Sequence, residues 1–216
     1  MSDPEKQSDN KSFFSHFASS ALLFWDFAKI VIVALIIIIP IRYFVFQPFI
    51  VSGSSMVPNF QNGQYLVIDE LSYHFSQPKR GDVIVLKHHN IDASGKDHQE
   101  FYIKRLIGLP GETVKIDNNG SVIIINAEHP EGSTINEPYL PSQSLTYVHN
   151  PTIIGGNKVV TLGADEYFML GDNRLASSDS RDWGVLKRSD MVGKTFLRLL
   201  PLNTFEFYFK DPVYSF

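Results

Sequence analysis

The sequence contains no cysteine among its 216 residues. This absence excludes disulfides, thiol nucleophiles and zinc sites built on cysteine. A strong excess of positive charge is also missing, because 19 Lys and Arg stand against 23 Asp and Glu, a formal net charge of -4. A basic surface for nucleic acid is therefore not expected. With 44% hydrophobic residues and no low-complexity tract, the chain has enough apolar material for a packed core.

One apolar segment, residues 21–41, stands out near the N-terminus. Only three of its residues are not apolar, and residues 30–39 are apolar without interruption. A helix of this length can span about 30 Å of hydrocarbon. A cleavable signal peptide is the alternative, but the chain continues through Arg42 into aromatic residues without a small-residue cleavage site. The sequence therefore predicts one transmembrane helix over 21–43.

The distribution of Lys and Arg predicts how this helix is oriented. Three lysines lie on the N-terminal side, the last of them Lys29, whereas the other side carries Arg42 and then no basic residue before Lys79. Basic residues concentrate on the cytoplasmic side of a membrane. We therefore expect a single-pass plasma-membrane protein with a cytoplasmic tail, residues 1–20, and an extracytoplasmic domain, residues 44–216.

Beyond the anchor, short runs of β-branched or aromatic residues bounded by turn residues predict strands. The runs are Gln64–Ile68, Asp82–Lys87, Phe101–Ile107, Thr113–Ile116, Val122–Ile125, Tyr167–Leu170 and Thr195–Leu200. Asn119-Gly120 is a strong hairpin signal between two of them. No long amphipathic helix separates the runs, so the domain is expected to be mainly β, with antiparallel sheets. The polar stretches 88–100 and 128–158 are expected to be long loops or insertions.

The first candidate site residue is a serine within Ser52-Gly53-Ser54-Ser55-Met56-Val57-Pro58. A serine beside a glycine is more often part of a turn than a nucleophile. Val57 stands where a nucleophile elbow needs glycine, so a Ser-His-Asp enzyme of the α/β-hydrolase type is disfavoured. The histidines within 88–98 lack metalloprotease spacing, and solvated loop histidines are the better interpretation.

A candidate base lies in the predicted strand at residues 101–108. With alternating side chains, Lys104 shares an apolar face with Tyr102 and Leu106, while Arg105 shares the other face with two isoleucines. At least one of the two cations is therefore expected to be enclosed, although two cations at an exposed sheet edge are the alternative. Arginine is effectively never deprotonated, whereas a buried lysine loses its proton readily.

A third segment begins with Gly171-Asp172-Asn173-Arg174, directly after a predicted strand. It continues through Ser177 to Gly184 and is dense in hydroxyls, carboxylates and arginines. A turn with a surface ion pair between Asp179 and Arg181 would explain it without any function.

In this order and spacing, the segments resemble the bacterial type I signal peptidases, membrane-anchored serine proteases with a Ser/Lys dyad. The resemblance covers about residues 30–210. It is carried by the anchor and by Gln47-Pro48-Phe49, Ser55 to Pro58, Arg80 to Val85, Tyr102 to Glu112, Asn136 to Leu140, Gly171 to Arg174 and on to Gly184, and Val192-Gly193-Lys194.

The resemblance implies a role for individual residues. Ser55 matches the nucleophile and Lys104 the general base. Ser177 matches the hydroxyl that orients the lysine, and Asp179 with Arg181 match a supporting ion pair. A neutral lysine is required for the base, and burial would favour it. The resemblance implies no metal and no cofactor.

The sequence departs from the family pattern at two places. Some members carry a serine two residues before the nucleophile, where this chain has Gly53. The resemblance then implies an oxyanion held by the backbone N–H of Ser55, with an N–H or water near Gly53. Leu175 and Ala176 replace a polar pair often found after the Gly-Asp-Asn-Arg motif.

The expected function is an endopeptidase that removes signal peptides from exported preproteins at the outer face of the membrane. Its expected partners are signal peptides and the lipid bilayer, with no nucleic acid. A self-cleaving repressor has the same dyad fold but would need a DNA-binding module where this chain has a membrane segment. A catalytically dead membrane-bound binding protein is the other alternative, which the retained Ser55 and Lys104 disfavour.

Overall fold

The structure, a computed structural model, describes residues 24–39, 46–92, 94–142, 144–148 and 159–208. It divides the chain into two compact units, residues 1–44 and 45–216.

In the first unit, residues 24–39 form helix α1, and most of its large apolar side chains are exposed. Asp26 and Lys29 form an ion pair of 3.0 Å on its first turns. Within the described residues, no helix is both long and apolar enough to cross a membrane. The predicted tail 1–20 and both ends of the predicted span, 21–23 and 40–43, lie outside the described residues.

The second unit is built from strands. They are β1 Phe46–Ile50, β2 Tyr65–Asp69, β3 Val83–Ile91, β4 Asp97–Gly108, β5 Thr113–Ile116, β6 Val122–Ile125, β7 Ser133–Thr134, β8 Val159–Thr161, β9 Glu166–Leu170, β10 Leu186–Lys187, β11 Met191–Leu200 and β12 Glu206–Phe207. The short helices are α2 Ser72–Phe75 and α3 Ser180–Trp183, with 3-10 turns at Arg188–Asp190 and Leu202–Thr204.

The strands form two antiparallel sheets. The larger has the order β1-β2-β11-β3-β4-β9-β10, with β12 paired to β11, and the smaller has the order β7-β6-β5-β8. The mainly β, antiparallel expectation is confirmed, and each of the predicted runs overlaps a strand. In this order β11, which follows β10 in the chain, lies between β2 and β3.

The loop interpretation of residues 88–100 is wrong. β3 and β4 continue through this stretch as a hairpin arm, in which His88 lies opposite Glu100 and Ile91 lies opposite Asp97. The polar side chains of the arm are largely exposed, and backbone pairing alone extends the ladder. In the other polar stretch, β7 forms and residues 149–158 lie outside the described residues.

Apolar side chains form three core clusters. One, which includes Ile107, Val114 and Phe168, joins the smaller sheet to β4 and β9. The other two lie in the larger sheet, and the cluster that includes Met56 and Ile103 underlies the segment that carries Ser55. The larger sheet therefore supplies a packed support for the site.

Candidate active site

Ser55 lies in the loop between β1 and β2, residues 51–58, which we call the nucleophile loop after the role expected for Ser55. The loop is fastened to the core by Met56, which is 1% exposed and packs against apolar side chains of the larger sheet. Its turns are closed by backbone hydrogen bonds, including Val57 N–H to Ser54 O at 3.2 Å. The packing of Met56 therefore fixes the position of the preceding residue, Ser55.

The structure brings Ser55 and Lys104 together, although 49 residues separate them in the chain. Lys104 Nζ lies 2.9 Å from Ser55 Oγ and donates to the Ile103 carbonyl at 3.0 Å. These two contacts aim the amine at the hydroxyl. An amine within hydrogen-bond distance of a hydroxyl has the geometry of a general base and its nucleophile.

The environment of Lys104 favours the neutral amine. The residue is 3% exposed, and the ring of Tyr102 lies 5.1 Å from its Nζ. Burial lowers the pKa of Lys104 from 10.5 to about 8, while the charges of Asp179 and Asp172 act in the opposite direction. Desolvation wins because a buried ammonium loses more hydration than those carboxylates return.

Arg105 is buried as well, so the expectation that at least one cation is enclosed holds for both, and the exposed-edge alternative is wrong. Arg105 binds Asp172 through two hydrogen bonds, Nε to Oδ1 at 2.7 Å and Nη2 to Oδ2 at 2.6 Å. Asn59 donates to the same carboxylate at 2.8 Å. These two neighbouring residues of β4 therefore make different contacts. Lys104 contacts the Ser55 hydroxyl, and Arg105 binds the segment that follows β9.

Asp179 and Arg181 form a fully buried ion pair, not the surface pair considered from the sequence. Arg181 Nε donates to Oδ1 at 2.7 Å and Nη2 donates to Oδ2 at 2.8 Å. Arg181 also donates to the carbonyls of Arg174 and Tyr147, and the Gly171 N–H donates to Asp179 at 2.9 Å. The pair therefore ties together the whole segment from Gly171 to α3.

The same segment holds the backbone of the nucleophile loop. The Asn173 N–H donates to Ser55 O at 2.9 Å, and the Asn173 side chain donates to Ser54 O at 3.1 Å. A Cβ on Gly171 would lie 2.5 Å from Ser55 O and 2.1 Å from Ser177 Oγ. Such distances exclude a side chain there, so glycine is what allows the two segments to approach.

Ser177 lies beside this junction but makes no side-chain hydrogen bond to Lys104. The residue is 2% exposed, and its Oγ has no hydrogen-bond partner among the described residues. The resemblance implies that this hydroxyl orients Lys104, and the structure gives no hydrogen bond between the two side chains.

Two backbone N–H groups were candidates to hold an oxyanion. Gly53 has a φ of +91° in the region that favours glycine, and its N–H donates to Asn62 Oδ1 at 2.9 Å. The Ser55 N–H has no hydrogen bond to any residue that the structure describes. Of the two groups, the Ser55 N–H is the unoccupied donor.

A cavity of about 290 Å³ opens over Ser55 and Lys104. Its apolar walls include Leu66, Val85 and Ile103, and its polar groups come mainly from the nucleophile loop. A site of this size and lining accepts small apolar side chains beside a reacting polar group. Within the described parts of the chain, no group of three or more His, Asp or Glu is placed to hold a metal ion.

Comparison with known proteins identifies the family of this chain. A family model for signal peptidase, peptidase S26, matches residues 24–200. The chain belongs to this signal peptidase family. It is therefore a peptidase, a hydrolase of peptide bonds, and the relatives are of the signal peptidase I type.

Three relatives illustrate the extent of the likeness. Signal peptidase I P of Bacillus subtilis subsp. natto is 33% identical over 180 residues, which is 82% of this chain and 90% of that protein. Signal peptidase I of Bacillus caldolyticus is 35% identical over 184 residues, 82% and 92% of the two chains. A probable signal peptidase I-1 of Synechocystis sp. is 33% identical over 187 residues, 83% and 86%.

A crystal structure of a signal peptidase I from Enterococcus faecalis is 28% identical and covers 55% of this chain and 97% of that one, with a TM-score of 0.40. The family assignment rests on the sequence matches.

Sequence reasoning assigned no role to three residues of this signal peptidase site. Asp172 and Asn173 stand in the motif that follows β9, and their types gave a signal, but only the fold shows that they bind Arg105 and the nucleophile loop. Asn62 carried no signal beyond that of a turn residue before Gly63.

Proposed function

We propose that this signal peptidase is a membrane-bound serine endopeptidase that removes signal peptides from exported preproteins. Ser55 is the nucleophile and Lys104 is the general base. The observation that carries the proposal is the 2.9 Å separation of Lys104 Nζ and Ser55 Oγ in a buried site that lowers the pKa of the lysine to about 8.

The reaction follows from the positions of these two groups. Neutral Lys104 takes the Ser55 proton as Oγ forms a bond to the scissile carbonyl carbon, giving a tetrahedral intermediate. The ammonium then passes that proton to the departing amine as the C–N bond breaks, which leaves an ester on Ser55. A water molecule, deprotonated by Lys104, attacks the ester and releases the signal peptide as a carboxylate, with Ser55 regaining its proton.

Charge that develops on the carbonyl oxygen needs a donor that is already in place. The Ser55 N–H serves in the proposal because no described residue occupies it. The proposal keeps Ser177 as the group that orients Lys104, because its buried hydroxyl has no hydrogen-bond partner among the described residues and is available to the amine. Asp179 and Arg181 support the site by holding the segment that binds the nucleophile loop.

The substrate class comes from the relatives and from the shape of the site. The relatives carry the name signal peptidase I. The cavity is small and largely apolar, as the small residues before a signal-peptide cleavage site require. Strand β1 lies at the end of the sheet order, so an extended peptide can pair with strand backbone near the cavity while side chains enter it.

Membrane attachment is proposed for the N-terminal unit. Helix α1 exposes apolar side chains such as Ile30 and Ile36, at 68% and 65%. A continuous apolar surface of this kind in a soluble protein is unusual, whereas lipid covers it favourably. The bilayer is the proposed partner, with residues 1–20 in the cytoplasm and residues 44–216 on the outer side of the plasma membrane.

Ser55→Ala and Lys104→Ala are each expected to reduce cleavage of a preprotein by about a thousandfold or more, because each removes one half of the nucleophilic pair. The measurement is processing of a preprotein by the purified, detergent-solubilised full chain. Ser189→Ala and Lys115→Ala, both at exposed positions, are the matched controls and are expected to retain activity. Near wild-type cleavage by either dyad variant would refute the mechanism, and an inactive wild-type chain would favour a binding protein instead.

A further inference from the structure

The turn at residues 61–64 lies beside the start of the nucleophile loop. The Val51 N–H donates to Gln64 O at 2.9 Å, and the Gly63 N–H donates back to Val51 O at 2.9 Å. Gly63 has a φ of +83°, which the turn requires. Two backbone hydrogen bonds therefore fix the turn relative to the loop. The backbone of each residue in the turn, including Asn62, has a defined position beside the loop.

From this turn the Asn62 side chain reaches Gly53, two residues before Ser55. Asn62 Oδ1 accepts the Gly53 N–H at 2.9 Å. Apart from chain neighbours, no atom lies within 4 Å of the position that a Cβ on Gly53 would take. Nothing packs against that side of Gly53, and Asn62 is its one hydrogen-bond partner among the described residues.

Other contacts hold the residues that follow. The carbonyls of Ser54 and Ser55 accept hydrogen bonds from the side chain and the N–H of Asn173. The loop is thus held at Gly53 by Asn62 and at Ser54 and Ser55 by Asn173. The Ser55 N–H lies between these hydrogen bonds and has no partner among the described residues.

We infer that Asn62 is a positioning residue for catalysis: it engages the Gly53 N–H and fixes the loop so that the Ser55 N–H is the donor presented to the oxyanion. The inference rests on the proposed function. In some family members a hydroxyl two residues before the nucleophile contacts the oxyanion directly. Asn62 lies outside the cavity and serves the oxyanion indirectly, by fixing the loop. Gly53 can adopt its φ of +91° freely, and Asn62 supplies the restraint that glycine lacks.

The test is Asn62→Ala in the full chain in detergent, with cleavage of a signal-peptide substrate as the readout. Loss of one exposed hydrogen bond should lower kcat by about two- to tenfold. KM should stay unchanged because the cavity walls are intact, and the acidic limb of the pH profile should keep its pKa because Lys104 is untouched. Asn62→Asp retains an acceptor and should restore most of the activity, while Gln61→Ala, an exposed neighbour in the same turn, is the control.

Titration with a serine-acylating reagent gives the number of active sites and separates positioning from stability. Fewer sites with unchanged kcat per site, together with a lower Tm, would show a structural role only and overturn the inference. Unchanged kcat in Asn62→Ala would overturn it, and so would a raised kcat, since that would make the freed Gly53 N–H a useful donor. An inactive wild-type chain would refute the proposed function itself, and the inference with it.

Discussion

At the scale of the residue, desolvation of the Lys104 amine is the largest effect on its pKa. Lys104 is 3% exposed, and its pKa falls to about 8 even though two carboxylates favour the charged form. A change from 10.5 to about 8 corresponds to roughly 3 kcal/mol of preference for the neutral state. Burial of Lys104 therefore lowers the free energy of unfolding, and it leaves a lysine that can accept a proton near physiological pH.

The pH dependence of cleavage follows from that shift. Below the folded pKa of about 8, only the fraction of Lys104 that is neutral can take the Ser55 proton. We expect kcat/KM to rise about tenfold per pH unit on the acidic side and to level off above pH 8. A pH-rate profile with a signal-peptide substrate measures this limb, and activity independent of pH between 6 and about 8 would exclude Lys104 as the base.

The same shift predicts how stability depends on pH. Lys104 has a lower pKa folded than unfolded, so the unfolded state binds more protons and the penalty is complete below about pH 8. As pH rises from about 8 towards 10.5, the penalty disappears. Lys104→Met is therefore expected to stabilise the folded chain at pH 7 by about 1–3 kcal/mol and to lose that advantage above about pH 10. Denaturant unfolding at both pH values measures it, and a destabilised variant at pH 7 would contradict the prediction.

The sequence allowed some site residues to be chosen and not others. Lys104 could be preferred to Arg105 because only lysine deprotonates in proteins. Asn62 could not be chosen, because its contact with Gly53 depends on how a turn folds back on Val51. The direction of the buried Ser177 hydroxyl depends on its side-chain rotamer, which no pattern of residues encodes.

At the scale of the element, the segment from Gly171 to Gly184 owes its shape to one buried ion pair. Asp179→Ala leaves the Arg181 guanidinium buried without its carboxylate and removes the partner of the Gly171 N–H. The expected cost is about 3–5 kcal/mol in the free energy of unfolding. Cleavage should also fall, since this segment holds Ser55 O through Asn173.

Denaturant unfolding of the purified chain measures this cost. Asp97→Ala is the matched control, because Asp97 pairs with His89 at the surface and exposed pairs contribute little. Equal effects of the two substitutions would show that the buried pair is not what holds the segment.

The strands could be predicted where apolar alternation and turn residues coincide, as at Thr113–Ile116 and Val122–Ile125. β1 was missed because Pro48 argues against a strand, and it is tolerated here since β1 lies at the sheet edge. The hairpin arm was missed because its residues are polar on both faces, so its pairing leaves no hydrophobic pattern. Strand order across the sheets depends on contacts between distant segments and could not be predicted.

At the scale of the whole molecule, the proposed topology predicts which side of the membrane a protease can reach. Protease added outside spheroplasts should cleave the domain after Arg42 and spare the tail before Lys29, because basic residues favour the cytoplasmic side. Immunodetection with tags at the two ends measures the fragments. Protection of the C-terminal tag in intact spheroplasts, with digestion only after lysis, would reverse the orientation.

The central place of β11 has a consequence for the timing of activity during biosynthesis. β11 is the hydrogen-bonded link between β1-β2, which flank Ser55, and β3-β4, which carry Lys104. Residues 191–200 are synthesised after β1 to β4, so the two halves of the large sheet have no ladder between them until β11 has emerged. Non-local pairing of this kind forms late and slowly. A nascent chain that has not yet delivered β11 therefore holds the proposed nucleophile, Ser55, and the proposed base, Lys104, on separate pieces of sheet, and we expect proteolytic activity to begin only after β11 has been synthesised and paired.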